Sequence, residues 1–416
     1  MKGNVFLCGT AAFVRPAASL VLAVAAASCG TVELERTSGA AGVLPADTLQ
    51  QEAAGKEKYL YVTGIEYPDG YDWHSDSGYG HVACTLFLMK GGERILELPV
   101  EDESFISSDH DMHRCVGGHL YTDYSTDAGT VISKDGVEMF RYPDREMICG
   151  MMVDGDDIYT LGVPRTGDGW TYRKNGMILM VKASGHPMTD LREDRGKLWF
   201  AYAEPIGYDG GVRYRCYLAV DGTASPVGVA EDMEAVDDVL LYDGTLYYTA
   251  RAEGISGHLV YVGGNIHEVD KGIADETLDC RVYYDGGSCI YVSGKKCFDS
   301  SGRYDTLWKN FKYMFSYADN RVAAYYIDGD FINYILLTQD SSGRDRMAVF
   351  RNDILVGMGD YEYDHTFLGS QCSCSEDGHM YVALHPVQPG VRPAILLDDE
   401  VKEYDFNGYF TSVSVW

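Results

Sequence analysis

Three groups of residues have the types and spacing for chemistry. The segment Asp109-His110-Asp111-Met112-His113 sets two imidazoles among carboxylates, and Asp364-His365 echoes it. His110 and His113, joined by a carboxylate, would make the three-ligand set of a catalytic divalent-metal site. Residues three apart on an extended strand point to opposite faces, so both imidazoles reach one metal only if the segment turns. Surface histidines without a metal are the simpler reading. His110, His365 and the acids beside them are also the nearest candidates for the base and acid that a lyase or hydrolase brings to one substrate.

The second group is the run at residues 66–81, where Tyr71, Asp72, Trp73 and His74 combine flat rings with hydrogen-bonding groups. Tyr208, in the run 204–209, belongs to a smaller counterpart. Aromatic faces beside carboxylates suit carbohydrate rings, and long loops are more often functional than structural. A loop folded inward as a plug is the structural alternative. The third group is a series of acids, Asp109, Asp111, Asp144, Asp190, Asp232, Asp275, Asp319, Asp364 and Asp405, spaced along the whole chain. Brought together, they would focus negative potential and hold Ca²⁺, bind a cationic group or accept hydrogen bonds from sugar hydroxyls. Asp also caps backbone N–H groups in turns, which by itself would place one in every connection.

What would bring them together is a repeat. A turn containing Gly followed by an aliphatic-aromatic pair recurs as Gly117-Gly118-His119-Leu120-Tyr121, Arg195-Gly196-Lys197-Leu198-Trp199, Asp243-Gly244-Thr245-Leu246-Tyr247 and Asp377-Gly378-His379-Met380-Tyr381, with further copies at Tyr159, Tyr291 and Ile332. An opening copy, Tyr59-Leu60-Tyr61, lacks its turn. A second turn follows each copy, as in Lys134-Asp135-Gly136, Lys174-Asn175-Gly176 and Val220-Asp221-Gly222. Asn-Gly and Asp-Gly supply the positive φ of tight hairpins, and the flanks alternate as half-buried strands do. Two hairpins every roughly 40–45 residues are four strands, the unit of a β-propeller blade, which must stack on neighbours to bury both faces. The expected fold is all-β, an eight-bladed propeller, with seven blades as the alternative. The first copy lacks an innermost strand and the stretch from Tyr409 to Trp416 has the pattern of one, so the C-terminal strand is expected to pair into the N-terminal blade, leaving no open edge there. The acids of the third group then fall in the blade-to-blade connections, around one mouth of the central channel.

The Gly-turn-Leu-Tyr and Lys-Asn-Gly phrases resemble those of exported β-propeller lipoproteins of Bacteroidetes, over roughly residues 58–416. The resemblance implies an envelope or surface location and leaves the activity open, since propellers host enzymes, lectins and scaffolds alike.

The N-terminus reads as an address. Lys2 and Arg15 are the only charges before an alanine-rich apolar stretch that ends in Ala26-Ala27-Ser28-Cys29. The stretch is shorter than the roughly 20 residues that span a bilayer. Small residues before a cysteine point to a lipoprotein signal at residues 1–28 with Cys29 as the lipidated residue, and a plain secretory signal is the alternative. Residues 29–57 are expected to be a flexible tether reaching about 30 Å, and residues 58–416 the propeller. Membrane contact would then run through the lipid alone, at the bacterial outer membrane or cell surface.

Composition narrows the partners. With 63 Asp+Glu against 34 Lys+Arg the chain carries a formal charge of −29, which leaves no basic field for phosphates and argues against nucleic acid. There is no phosphate-cradling glycine loop, nucleophile elbow or zinc-protease helix. Nine cysteines remain after Cys8 and Cys29, an odd number that precludes complete pairing. Most suit buried core positions, while Cys280 with Cys289, and Cys372 with Cys374, are the pairs that a disulfide or zinc would use. The expectation is a monomeric, non-catalytic binding or interaction propeller for a glycan or envelope protein, with Ca²⁺ or another divalent cation as the only cofactor the acids suggest. A polysaccharide lyase or glycosidase using the carboxylates and histidines is the alternative.

Overall fold

Alternating apolar and polar residues, interrupted by Asp-Gly, Asn-Gly and Gly-Gly turns, leave this chain little choice but short strands. The computed structural model describes residues 51–53, 56–72, 83–100, 113–126, 128–208, 211–227, 233–252, 258–269, 276–284, 289–296, 303–310, 312–317, 321–328, 331–339, 345–351, 354–359, 373–376, 379–384, 386, 391–398 and 400–416. The expected signal and Cys29 lie outside them. Within the expected tether, Gln51–Ala53 pairs with Lys56–Lys58 as a two-stranded hairpin.

Among the described residues the fold is all-β, with eight antiparallel sheets of four or five strands besides that hairpin. In chain order, sheet one is Gly408–Val415, Leu60–Glu66, Cys84–Lys90 and Glu93–Val100; sheet two is His113–Val116, His119–Thr126, Gly129–Lys134 and Val137–Tyr142. Sheet three is Glu146–Asp154, Asp157–Pro164, Trp170–Lys174 and Met177–Lys182, and sheet four is His186–Pro187 with Arg192–Asp194, then Lys197–Tyr208, Gly211–Val220 and Thr223–Pro226. Sheets five to eight repeat the four-strand meander, beginning at Met233, Glu276, Arg321 and Ser373. Four-stranded antiparallel meanders of this kind are the unit of β-propeller folds.

Among the described side chains, burial falls from the inner strands of a meander to its fourth. Leu60–Glu66 is buried on both faces as far as Ile65, whereas the fourth strand Met177–Lys182 is mostly exposed. A strand buried on both faces requires a neighbour on each side. Tyr61 and Leu88 of sheet one pack on Cys115 and Leu120 of sheet two, and Trp170 and Tyr172 of sheet three on Phe200 and Tyr202 of sheet four. Trp199 and Leu218 of sheet four meet Val239 and Tyr248 of sheet five. Tyr381, Ala383 and Ile395 of sheet eight pack on Leu60, Val62, Phe87 and Phe410 of sheet one. The C-terminal strand is the inner strand of sheet one: Leu60 faces Val415 and Glu66 faces Gly408, and the Thr63 hydroxyl bonds those of Thr411 and Ser412 at 2.7 and 2.6 Å.

In four of the repeats the two turns are in contact. The Asp or Asn opening the second turn has positive φ at Asp135, Asn175, Asp221, Asn310 and Asp398. In four of these its side-chain oxygen accepts the N–H of the aliphatic residue just after the first turn: Asp135 from Leu120 (2.8 Å), Asn175 from Ile158 (2.8 Å), Asp221 from Leu198 (3.1 Å) and Asp398 from Met380 (3.0 Å). The preceding lysine lies over the repeat's tyrosine, Lys134 over Tyr121 and Lys174 over Tyr159 at 5.5 and 5.3 Å from the ring centroid. The two phrases therefore recur together because one clamps the other, and both turns lie at one end of the sheet.

Register differs from expectation at one thiol pair. Cys280 stands opposite Ser293 and Cys289 opposite Tyr284, because the hairpin pairs Cys289 with the last residue before the turn. Cys280 is fully buried.

Between sheets two and three lies a buried ion pair. Arg173 donates to both Glu146 oxygens at 2.5 and 2.6 Å, both side chains are under 10% exposed, and the guanidinium stacks 4.2 Å from the Tyr142 ring. Gly162 has no Cβ because one would meet Glu146 Oε2. Removing one partner of such a pair leaves a buried charge and costs about 3–5 kcal/mol. Glu146→Ala is expected to lose that much in urea denaturation, and Glu146→Met with Arg173→Met to recover most of it; equal loss in both variants would show that packing, not charge pairing, matters there.

Candidate functional site

With both tight turns at one end of each sheet, the connections between sheets and the loops joining second to third strands collect at the other. Hydrogen bonds tie the two sets together. Arg145, in the connection from sheet two to three, donates Nε to the Thr126 carbonyl at 3.1 Å and accepts the Arg165 N–H at 3.0 Å. Asn407, which leads into the C-terminal strand, donates Nδ2 to the carbonyls of Pro68 (2.9 Å) and Tyr71 (3.0 Å), while its own carbonyl accepts the Tyr67 N–H at 2.7 Å.

That clamp holds the start of the long run after Glu66. The Tyr67 and Tyr71 rings are 5.2 Å apart with 41° between their planes, and Tyr67 lies 6.3 Å from the buried Tyr409 ring. Tyr71 is half-buried and Asp72 is exposed. The rings thus step from core to surface and end at a carboxylate, an arrangement that can stack on one face of a sugar and accept its hydroxyls. Trp73 and His74 lie outside the described residues.

The expected acids separate. Asp190 is committed: it pairs with Arg114, and its Oδ1 accepts the N–H groups of Met151 (3.2 Å) and Leu191 (2.6 Å). Arg114 also donates to the Met151 carbonyl, so one ion pair links sheets two and three to the segment entering sheet four. Asp144 is exposed, and Asp405 is exposed with Arg392 3.2 Å away. Asp109, Asp111, Asp232, Asp275, Asp319, Asp364, His110 and His365 lie outside the described residues. His113 opens the inner strand of sheet two, opposite Thr122. Among the described residues no group of three His, Cys, Asp or Glu is placed to hold a metal ion.

The run 204–209 is not a loop as far as Tyr208. Glu204 pairs with Arg215, Ile206 with Arg213 and Tyr208 with Gly211, so sheet four extends here as a long hairpin. Its cross-strand pairing outweighs Pro205 and Gly207, residue types that ordinarily weaken a strand. The hairpin exposes Ile206 and Tyr214, and the Tyr214 ring meets His186 edge-on at 5.4 Å.

Sequence reasoning missed Asn407, Tyr67 and Arg114. Asn407-Gly408 carried a turn signal and Tyr67 sat inside the flagged run, whereas nothing in the periodicity singles out Arg114.

Burial raises the thiols. Cys115 is pushed up to about 11 and Cys149, Cys216 and Cys374 to about 12, chiefly by desolvation of the thiolate. These are packing groups, not nucleophiles. In the unfolded chain such thiols ionise near 9, so stability is full below that pH and falls as pH rises towards 11–12. Native protein at pH 8 is expected to leave these four unalkylated by iodoacetamide until denatured; rapid labelling of any of them, mapped by mass spectrometry, would contradict their burial.

No protein-family model and no curated protein matches the sequence. Solved structures show distant similarity. The β-propeller domain of the trilobed protease from Pyrococcus furiosus is 12% identical over 69% of this chain and 89% of that one, with a TM-score of 0.40. Acylaminoacyl peptidase from Pyrococcus horikoshii is 12% identical over 79% of this chain and 58% of that one, at 0.41, so the chain spans little more than half that enzyme's length. A quinoprotein alcohol dehydrogenase-like protein from Bacteroides thetaiotaomicron is 12% identical over 70% and 86%, at 0.32. Similarity at this level says nothing of activity, and the propeller assignment rests on the sheets themselves.

Proposed function

We propose that this chain is an exported, lipid-anchored binding protein whose connection face holds a glycan on the Tyr67–Tyr71–Asp72 platform. The observation that carries this is the pinning of exposed, ring-lined backbone by Asn407, because a platform held in place before binding loses little entropy on capture. Asp144, Asp405 and the Tyr208 hairpin lie on further loops and connections of the same face and would widen the contact. In this reading the chain is an eight-bladed propeller closed by its C-terminal strand; the pairing of Gly408–Val415 with Leu60–Glu66 and the packing of sheet eight on sheet one support it.

A glycan array probed with the purified protein is the direct test. Tyr71→Ala and Asp72→Asn are each expected to weaken a real signal about tenfold, the loss of roughly 1.4 kcal/mol. An array with no signal, or signals untouched by both variants, rejects the platform; release of shortened products points to hydrolysis or elimination instead. For the anchor, metabolic labelling with an alkyne fatty acid is expected to mark the wild-type chain and to disappear in Cys29→Ser. Label retained in that variant rejects Cys29.

A further inference from the structure

The C-terminal strand does more than complete sheet one. Gly408–Val415 lies at the inner edge of that sheet, and among the described residues its ladder is made with Leu60–Glu66 alone. The pairing runs on past both strand ends. At one end the Tyr59 N–H donates to the Trp416 carbonyl at 2.9 Å and the Trp416 N–H to that of Tyr59 at 3.1 Å; at the other the Tyr67 N–H donates to the Asn407 carbonyl at 2.7 Å. Gly408 allows the close approach, because a Cβ there would meet the Ile65 carbonyl oxygen. Tyr409, Phe410 and Val413 are buried along the strand. Whatever this zipper holds in place depends on one docking event.

The loop after Glu66 is built on the last rungs of that zipper. Residues 68–71 form a tight turn, with the Tyr71 N–H on the Pro68 carbonyl at 3.1 Å and Gly70 at a φ of 82°. The Asn407 amide donates to the carbonyls at both ends of the turn, and Tyr67 packs with Ile65, Leu86 and Tyr409. One amide reaches both carbonyls only while its backbone is held in place at the start of the strand. Undocking of Gly408–Val415 therefore withdraws this amide, the carbonyl that receives the Tyr67 N–H and the Tyr409 ring together. Proteins open locally in contiguous cooperative units, and these shared bonds mark one.

We propose that residues 67–72 and the C-terminal strand are a single opening unit, a strap whose docking assembles the platform and whose release dismantles it. The linkage is reciprocal: a ligand that binds only the docked form holds the strap down by the factor that undocking takes from its affinity. The end of the chain thereby senses what the connection face holds. The assembly half of this inference needs no ligand, while the sensing half rests on the glycan reading.

Hydrogen exchange of the full chain, read by mass spectrometry on peptides covering residues 66–72 and 408–416, tests it. Thr63→Val keeps the side-chain shape and removes the hydroxyl that joins Thr411 and Ser412. It is expected to speed exchange of the strand about tenfold, the effect of stranding a buried hydrogen-bonding group. The loop is expected to speed up by the same factor, with Met233–Tyr242 of sheet five unchanged. Asn407→Asp, which removes the donated N–H groups, is expected to act on the same two segments and serves if Thr63→Val does not fold. Acceleration of the strand with the loop unchanged, or acceleration shared equally by sheet five, would overturn the proposal. A glycan that scores on the array, added at about a hundred times its dissociation constant, is expected to slow both segments about a hundredfold; slowing of the loop alone would overturn the proposal too. An array without signal rejects the glycan reading and leaves the two variants to decide the strap.

Discussion

Everything in this molecule follows from strands that are apolar on both faces. A sheet whose second strand is buried on both sides, as Leu60–Glu66 is to Ile65, has no stable life alone. It needs a sheet in front and another behind. The same demand explains why burial falls towards the fourth strand: flanking sheets splay apart with distance from where they crowd, so Met177–Lys182 is left uncovered. The C-terminal strand answers the demand where the chain begins, by giving Leu60–Glu66 the inner partner that the N-terminal repeat lacks.

Polar groups supply what apolar packing cannot, which is register between and within sheets. Within a sheet, the side chain of the second turn caps the N–H beside the first, and that bond exists only when both hairpins have the right length. Within sheet three, Glu146 and Arg173 join the first strand to the third, and between sheets Asp190 with Arg114 bridges neighbours through a charge-assisted bond whose misalignment would strand an ion. Asp238 does the same with neutral donors, accepting Val239 within its own sheet and Val282 in the next. Directional bonds of this kind choose one stacking among the many that greasy faces would allow.

The ends and the rim divide the remaining labour. Tight turns occupy one end and are consumed by their own clamps. The other end keeps longer connections, tied by Asn407 and Arg145, and there rings and acids reach solvent on a rigid base. On the outer strand of sheet three, Met177, Ile178, Leu179 and Val181 are left exposed.

The periodic part of this protein was legible in its residues. Turn chemistry at Asp135, Asn175 and Asp221, alternation in the flanks and the orphan pattern from Tyr409 onward are local features, and local sterics alone are enough to produce hairpins from them. The inner-strand role of the C-terminus could be inferred because a missing element and a surplus one matched. What escaped was whatever depends on a neighbour distant in the chain. Asp190 reads as a channel acid until Arg114, 76 residues earlier, takes its charge. Glu204–Tyr208 reads as a loop until Gly211–Arg215 pairs with it. Cys280 and Cys289 read as partners until the hairpin register sets Tyr284 against Cys289. The chain by itself determined strands, turns and their order, because those are short-range properties of φ, ψ and solvation. Only the tertiary structure decided which carboxylates remain available and which apolar edges remain bare, because both depend on what the stacking of sheets happens to cover.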